Sequence, residues 1–161
     1  MPLIGTASAT EGPPKPDSSL TPSQKNAPSE ASPLAGRRVV ICEDEGILQM
    51  QLQRALTRAG LQIVGSANNG QTGVEIVLRE RPDIVLMDIR MPIMNGLEAA
   101  RRILAVYRPC LVMLTAYADE SYQQQATEIG ASGYIVKPVT TETLLPQLRA
   151  AWSAFQVEPG R

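Results

Sequence analysis

The chain reads as an α/β domain, a doubly wound five-stranded parallel sheet. Three observations predict it. Short apolar runs alternate with amphipathic helical stretches, strand then helix, five times over. The runs are apolar throughout rather than alternating, as expected of strands covered on both faces. Several of them close on acids or hydroxyls, at the strand ends where open parallel sheets bind their ligands. Right-handed crossovers then supply the double winding.

The first strand is Val39 to Cys42 in "RRVVICEDE", closing on acids. "EGILQMQLQRALTRAG" follows, with Leu48, Leu52 and Leu56 at i, i+4 and i+8 and Gly60 as a stop, which predicts an amphipathic helix. "LQIVGSA" is the second strand, "NNG" a turn, and "QTGVEIVLRERP" a helix ended by Pro82. "DIVLMD" is the third strand; "GLEAARRILAVY" is the third helix, with Leu97, Ala100, Ile103 and Leu104 on one face. "CLVMLTA" is the fourth strand, and "DESYQQQATEIG" a helix with Tyr122, Ala126 and Ile129 facing inward. "GYIV" is the fifth strand and "TTETLLPQLRAAWSAF" the last helix. Pro146 fits that helix only if its first turn starts near Thr143.

Residues 1–35 differ in kind. They are rich in Pro, Ser, Thr and Ala, and cannot bury enough apolar surface to offset their ordering entropy. They are expected to be a disordered tail, with a docking or tethering arm as the alternative. Residues 36–157 form the domain, and 158–161 a short tail.

Among 161 residues, 43% are hydrophobic and 19% charged, the net charge is −1, and the pI is about 5.5. Nothing there marks a nucleic-acid binder, and no direct nucleic-acid binding is expected. Cys42 and Cys110 lack C-x-x-C spacing and read as small buried hydrophobes, not a disulfide framework. No apolar run is long enough for a membrane span, and no secretory signal is evident. The chain has no His, which excludes Ser-His-Asp and Cys-His catalysis and HExxH zinc sites within it.

The strand ends carry what chemistry remains. Glu43 and Asp44 close strand 1, Asp88 closes strand 3, Thr115 closes strand 4, and Lys137 and Pro138 follow strand 5. Taken singly, Asp44 could be a helix N-cap and Lys137 a solvated loop lysine. Taken together, they describe a site for a divalent cation and a phosphoryl group. Clustered carboxylates repel one another, and a hard cation such as Mg²⁺ relieves them through oxygen ligands. Lys137 offers a positive charge and Thr115 a hydroxyl donor to phosphoryl oxygens. Asp88, alone on the central strand, is the candidate nucleophile for an acyl phosphate.

The motifs "VVICEDE", "IVLMDIRMPIMNG", "VMLTAYA" and "GYIVKP", in this order and spacing, resemble the receiver domain of two-component response regulators. The resemblance covers residues 37 to about 155. It implies a flavodoxin-like (βα)₅ fold with strand order 2-1-3-4-5. It implies Asp88 as phospho-acceptor and Mg²⁺ as cofactor, held by Asp44, Asp88 and the Arg90 backbone carbonyl, with Glu43 acting mostly through water. Lys137 would pair with the phosphoryl group, across a cis Lys137–Pro138 peptide. Thr115 would shift inward and Tyr134 follow it from exposed to buried, changing the face of helix 4, strand 5 and helix 5. Arg90 and Tyr117 stand where the family tunes dephosphorylation, and their bulk implies a long-lived phosphoryl state. Glu43 replaces the commoner Asp, and Val139 stands where Phe is frequent.

The implied partners are a sensor histidine kinase or phosphotransfer protein, and then a downstream protein or a second copy of the chain. Tyr122, Tyr134 and Trp152 are candidate contacts on that face, or partial core. The chain would be cytoplasmic, and no enzyme beyond its own phosphotransfer and dephosphorylation. "EDEGILQMQLQRAL" and "TLLPQL" resemble receivers of regulators that carry an RNA-binding antiterminator module, so the chain is either a stand-alone receiver or a piece of such a regulator. A haloacid-dehalogenase-type phosphatase would need an acid where Arg90 stands. An FMN-binding flavodoxin would need a phosphate loop where "EDEGI" places acids. The remaining rival is a receiver-fold binding module that works without phosphorylation.

Overall fold

The computed structural model describes residues 32–116 and 120–158. The elements run β1 (Arg38–Cys42), α1 (Gly46–Arg58), β2 (Gln62–Ala67), α2 (Gly70–Glu80), β3 (Ile84–Asp88), α3 (Gly96–Leu104), β4 (Cys110–Thr115), α4 (Glu120–Glu128), β5 (Gly133–Val136) and α5 (Thr141–Gln156). All five strands are parallel, in the order β2-β1-β3-β4-β5. This is the implied flavodoxin-like order.

Alternate strand residues point to opposite faces, and each face has its own core. Val39, Ile41, Ile84, Leu86, Val112, Leu114 and Ile135 pack with Leu48, Leu52 and Leu56 of α1 and Leu144, Leu148 and Trp152 of α5. Val40, Cys42, Val85, Met87, Leu111 and Met113 pack with Val77 of α2, Leu97, Ala100 and Ile103 of α3, and Ala126 of α4. Every residue of β3 and β4 is buried, which is why those runs show no polar alternation. β2 lies at an edge and is mostly half-buried.

The differences from the expected elements have local causes. Most of the expected tail lies outside the described residues, but Leu34, within it, is fully buried in the α1/α5 core. The domain therefore begins before residue 36. Its anchor is a turn in which the Gly36 N–H donates to the Gly60 carbonyl at 2.8 Å. Helix α3 stops at Leu104 rather than Tyr107: past it the Val106 and Tyr107 N–H groups both donate to the Ile103 carbonyl, a tight final turn, and Pro109 then keeps Arg108 out of the helical region.

Helix α5 starts at Thr141, not near Thr143, so Pro146 lies inside it and removes a backbone donor there. A reciprocal cap between Thr140 and Thr143 fixes that earlier start, and five buried side chains from Leu144 to Phe155 hold the helix despite the proline. Trp152 is core rather than surface, with the Arg37 guanidinium 4.9 Å from its ring centroid and Phe155 stacked at 5.5 Å. Cys42 and Cys110 are buried free thiols, each pushed up by burial to about 12. No described helix is long and apolar enough to cross a membrane.

Candidate functional site

The acidic residues meet because parallel neighbours end level with one another. In register, Cys42 lies beside Met87 and Asp88 beside Leu114. One residue past Cys42, the chain leaves β1 and delivers Glu43 and Asp44 next to Asp88. Carboxylate oxygens of Glu43, Asp44 and Asp88 all lie within 4.8 Å of one another. Glu43 and Asp88 are buried, and Asp44 is exposed at the mouth.

Lys137 comes from the turn after β5, where its N–H donates to the Thr115 carbonyl at 2.7 Å. The Lys137–Pro138 peptide is cis, as expected. Lys137 Nζ lies 3.1 Å from Glu43 Oε1 and 3.4 Å from Asp88 Oδ1. Thr115, at the end of β4, is 1% exposed. Burial, and then the charge of Glu43, push the Asp88 carboxyl up to about 7 against the opposing pull of Lys137. Burial works to lower the Lys137 ammonium, but its contacts with Glu43 and Asp88 outweigh that and raise it.

One ammonium does not satisfy three carboxylates. Glu43 Oε2 accepts the Glu45 N–H at 3.0 Å. Glu43 Oε1 has Lys137 beside it, but no hydrogen bond among the described residues. A fully buried carboxylate oxygen that has the Lys137 ammonium beside it at 3.1 Å, shared with Asp88, and faces two further acids fits a hard oxygen-seeking cation such as Mg²⁺.

Most of the expected site residues converge here: Glu43, Asp44, Asp88, Thr115 and Lys137. Arg90 is exposed and lines an open cleft of about 610 Å³ beside the cluster, with Asp44, Met91, Asn95 and Tyr122. Tyr134 is half-buried on β5. Tyr117 lies outside the described residues. Three residues were not singled out by their pattern. Gln49 Nε2 donates to the carbonyls of Glu43 (2.9 Å) and Ala67 (3.0 Å), tying α1 to the ends of β1 and β2. Gly96 admits the loop after β3, since a Cβ there would collide with the Asp88 carbonyl oxygen. Gly70 meets the same loop from α2. An "NG" pair marks both glycines in the sequence, but reads there only as a turn.

Residues 39–149 match the family model of the response regulator receiver domain. The transcriptional regulatory protein PdtaR of Mycobacterium tuberculosis is 37% identical over 128 residues, covering 80% of this chain and 62% of that protein. The chain thus spans less than two thirds of that relative's length. The chemotaxis protein CheY of Thermotoga maritima is 36% identical over 104 residues, covering 64% of this chain and 87% of that protein. A chain of the CheX–CheY–BeF₃–Mg²⁺ complex from Borrelia burgdorferi superposes with a TM-score of 0.70 at 26% identity, covering 73% of this chain and 90% of that one.

Proposed function

The chain belongs to the response regulator receiver family of two-component signalling, and from that premise we propose that it is a switch driven by phosphorylation of Asp88. The observation that carries the reading is the set of three converging carboxylates served by the single ammonium of Lys137, with Thr115 at the end of β4. The Borrelia complex, with Mg²⁺ and a beryllofluoride, supports it by likeness.

The donor is a phosphohistidine on a kinase or phosphotransfer protein. An Asp88 carboxylate oxygen attacks phosphorus. The P–O bond forms as the P–N bond breaks, and the electron pair returns to the donor imidazole, which takes up a proton. Mg²⁺, when bound, neutralises the acids and the incoming phosphoryl oxygens. Asp44, Asp88 and the Arg90 carbonyl would hold it, with Glu43 acting through water. Lys137 pairs with the phosphoryl group, as its position beside Asp88 Oδ1 allows. Thr115 donates its hydroxyl to the same group, and the inward shift draws Tyr134 after it. The altered face is α4, β5 and α5, which then meets a downstream protein or a second copy. Beyond this self-directed chemistry the chain is no enzyme, and it works in the cytoplasm. The exposed Arg90, with Tyr117, slows attack by water and gives a long-lived phosphoryl state.

The test is intact mass after incubation with acetyl phosphate and MgCl₂. A single phosphoryl adduct, absent in Asp88→Asn, is expected. No adduct from acetyl phosphate or from a kinase would leave the phosphorylation-independent binding module as the reading.

A further inference from the structure

The loop joining β3 to α3, residues 89–95, holds a conformation its own sequence disfavours. Ile93 has φ +71°, in the left-handed region where a β-branched side chain is strained. The Met94 N–H donates to the Pro92 carbonyl at 2.7 Å, across Ile93. An i→i+2 bond around a positive φ is the rarer, strained hand of γ-turn. Ile93 is also 77% exposed, so burial of its side chain does not compensate. Such strain persists only where the surroundings impose it.

The surroundings impose it at two points. Near Asp88, the Gly96 N–H donates to the Ile89 carbonyl at 2.7 Å. At the strained turn itself, the Gly70 N–H donates to the Met94 carbonyl at 2.9 Å. Gly70 is the first residue of α2, so this N–H is one that the helix leaves without an internal partner. The half-turn is itself fixed: Asn69, nearly buried, caps the helix by accepting the Thr72 N–H at 2.9 Å. The approach is too close for any other residue, since a Cβ on Gly70 would collide with the Met94 carbonyl oxygen.

We propose that Gly70 is a positioning residue for the cation site: its amide latches the strained turn and so holds the loop that presents the Arg90 carbonyl beside Asp44 and Asp88. The inference rests on the reading of those groups as Mg²⁺ ligands. Without the latch the turn relaxes toward negative φ at Ile93, and the carbonyl three residues earlier moves with it. The latch and the strain are therefore coupled. A glycine at position 93 takes φ +71° and its neighbouring conformations without steric cost, so it should also let the Met94 carbonyl yield to a methyl at position 70 without dragging the Arg90 carbonyl after it.

Isothermal titration with MgCl₂ on the full chain tests this as a double-mutant cycle. Gly70→Ala is expected to weaken Mg²⁺ binding about tenfold, while acetyl-phosphate labelling at saturating Mg²⁺ stays within about threefold of the parent. Ile93→Gly alone should bind Mg²⁺ as the parent does. Gly70→Ala with Ile93→Gly should recover most of the loss. A folded Gly70→Ala that binds Mg²⁺ normally, or a loss of equal size in both backgrounds at position 93, overturns the proposal. Should Gly70→Ala not fold, hydrogen exchange of the Gly70 amide in the parent decides. Its protection should rise with Mg²⁺, by reciprocity of coupling, and unchanged protection refutes the latch. Asp44→Asn separates the two layers. If it and the parent bind Mg²⁺ equally, the reading of the metal site has failed; if only Asp44→Asn loses Mg²⁺, that reading stands and Gly70 alone is in question.

Discussion

The two ends of the sheet are built on opposite electrostatic plans. At the amino end, each charge has a partner. The Arg38 N–H donates to Asp83 Oδ2 at 2.8 Å, and its guanidinium donates to the Glu80 carbonyl at 2.6 Å and to Glu80 Oε1 at 3.1 Å. Arg81 lies 4.7 Å from the Tyr107 ring centroid, and the Tyr107 hydroxyl donates to the Pro82 carbonyl at 2.8 Å. At the carboxyl end, Glu43, Asp44 and Asp88 crowd one ammonium. The first arrangement stabilises the fold as it stands. The second costs stability until a cation arrives to neutralise it, and that unmet demand is what makes it a site.

The sharpest way to break this comparison is to remove the one cation at the carboxyl end. Lys137→Met leaves buried Glu43 and Asp88 without a counter-charge, and breaking a buried pair in this way costs about 3 kcal/mol. Urea unfolding at pH 8 with EDTA should show that loss. Excess MgCl₂ should reduce it, since the cation stands in for the ammonium. A variant as stable as its parent without divalent ions would mean that the acids are not in conflict.

Removing an acid should do the reverse. The folded Asp88 carboxyl is raised to about 7, while the unfolded one titrates near 4. The folded state therefore binds the proton more tightly, and this group's contribution declines as pH rises through that interval. Above about 7 the full cost is present; below about 4 it is absent. Asp88→Asn should be more stable than its parent by about 1–3 kcal/mol at pH 8 in EDTA, with the gain vanishing toward pH 4. Thermal melts across that range check both sign and window. MgCl₂ should close the gap at pH 8, since a cation at a hundred times its Kd stabilises the parent by about 2.7 kcal/mol.

The two ends were also unequally legible. The carboxyl end could be read because four of the five strands end at or beside a chemically distinct residue, and parallel topology alone brings strand ends together. Asp88, Glu43 and Lys137 needed no knowledge of side-chain packing. The amino end could not be read. Arg38, Glu80 and Asp83 look like ordinary surface charges, and only the pairing of β1 with β3 brings Arg38 to Asp83. The same holds for what supports the site. Gln49 and Gly70 act through backbone carbonyls in other segments, and a carbonyl leaves no mark in a sequence. Pro146 misled for a different reason: it argued locally for a later helix start, and a cap plus a buried face outweighed it.

The smallest expected effect sharpens the contrast from the settled end. Tyr107→Phe deletes one hydrogen bond to the Pro82 carbonyl and leaves the ring under Arg81. A half-buried carbonyl losing its donor costs about 1 kcal/mol. That change should be independent of Mg²⁺, because the hydroxyl serves the turn after α2 and not the acids. Phosphoryl labelling from acetyl phosphate should match the parent. The pairing at that end is local, so its loss is felt only as stability. Were the labelling rate to fall along with stability, the two ends would be coupled through β3, and the division between a settled end and a frustrated one would be wrong.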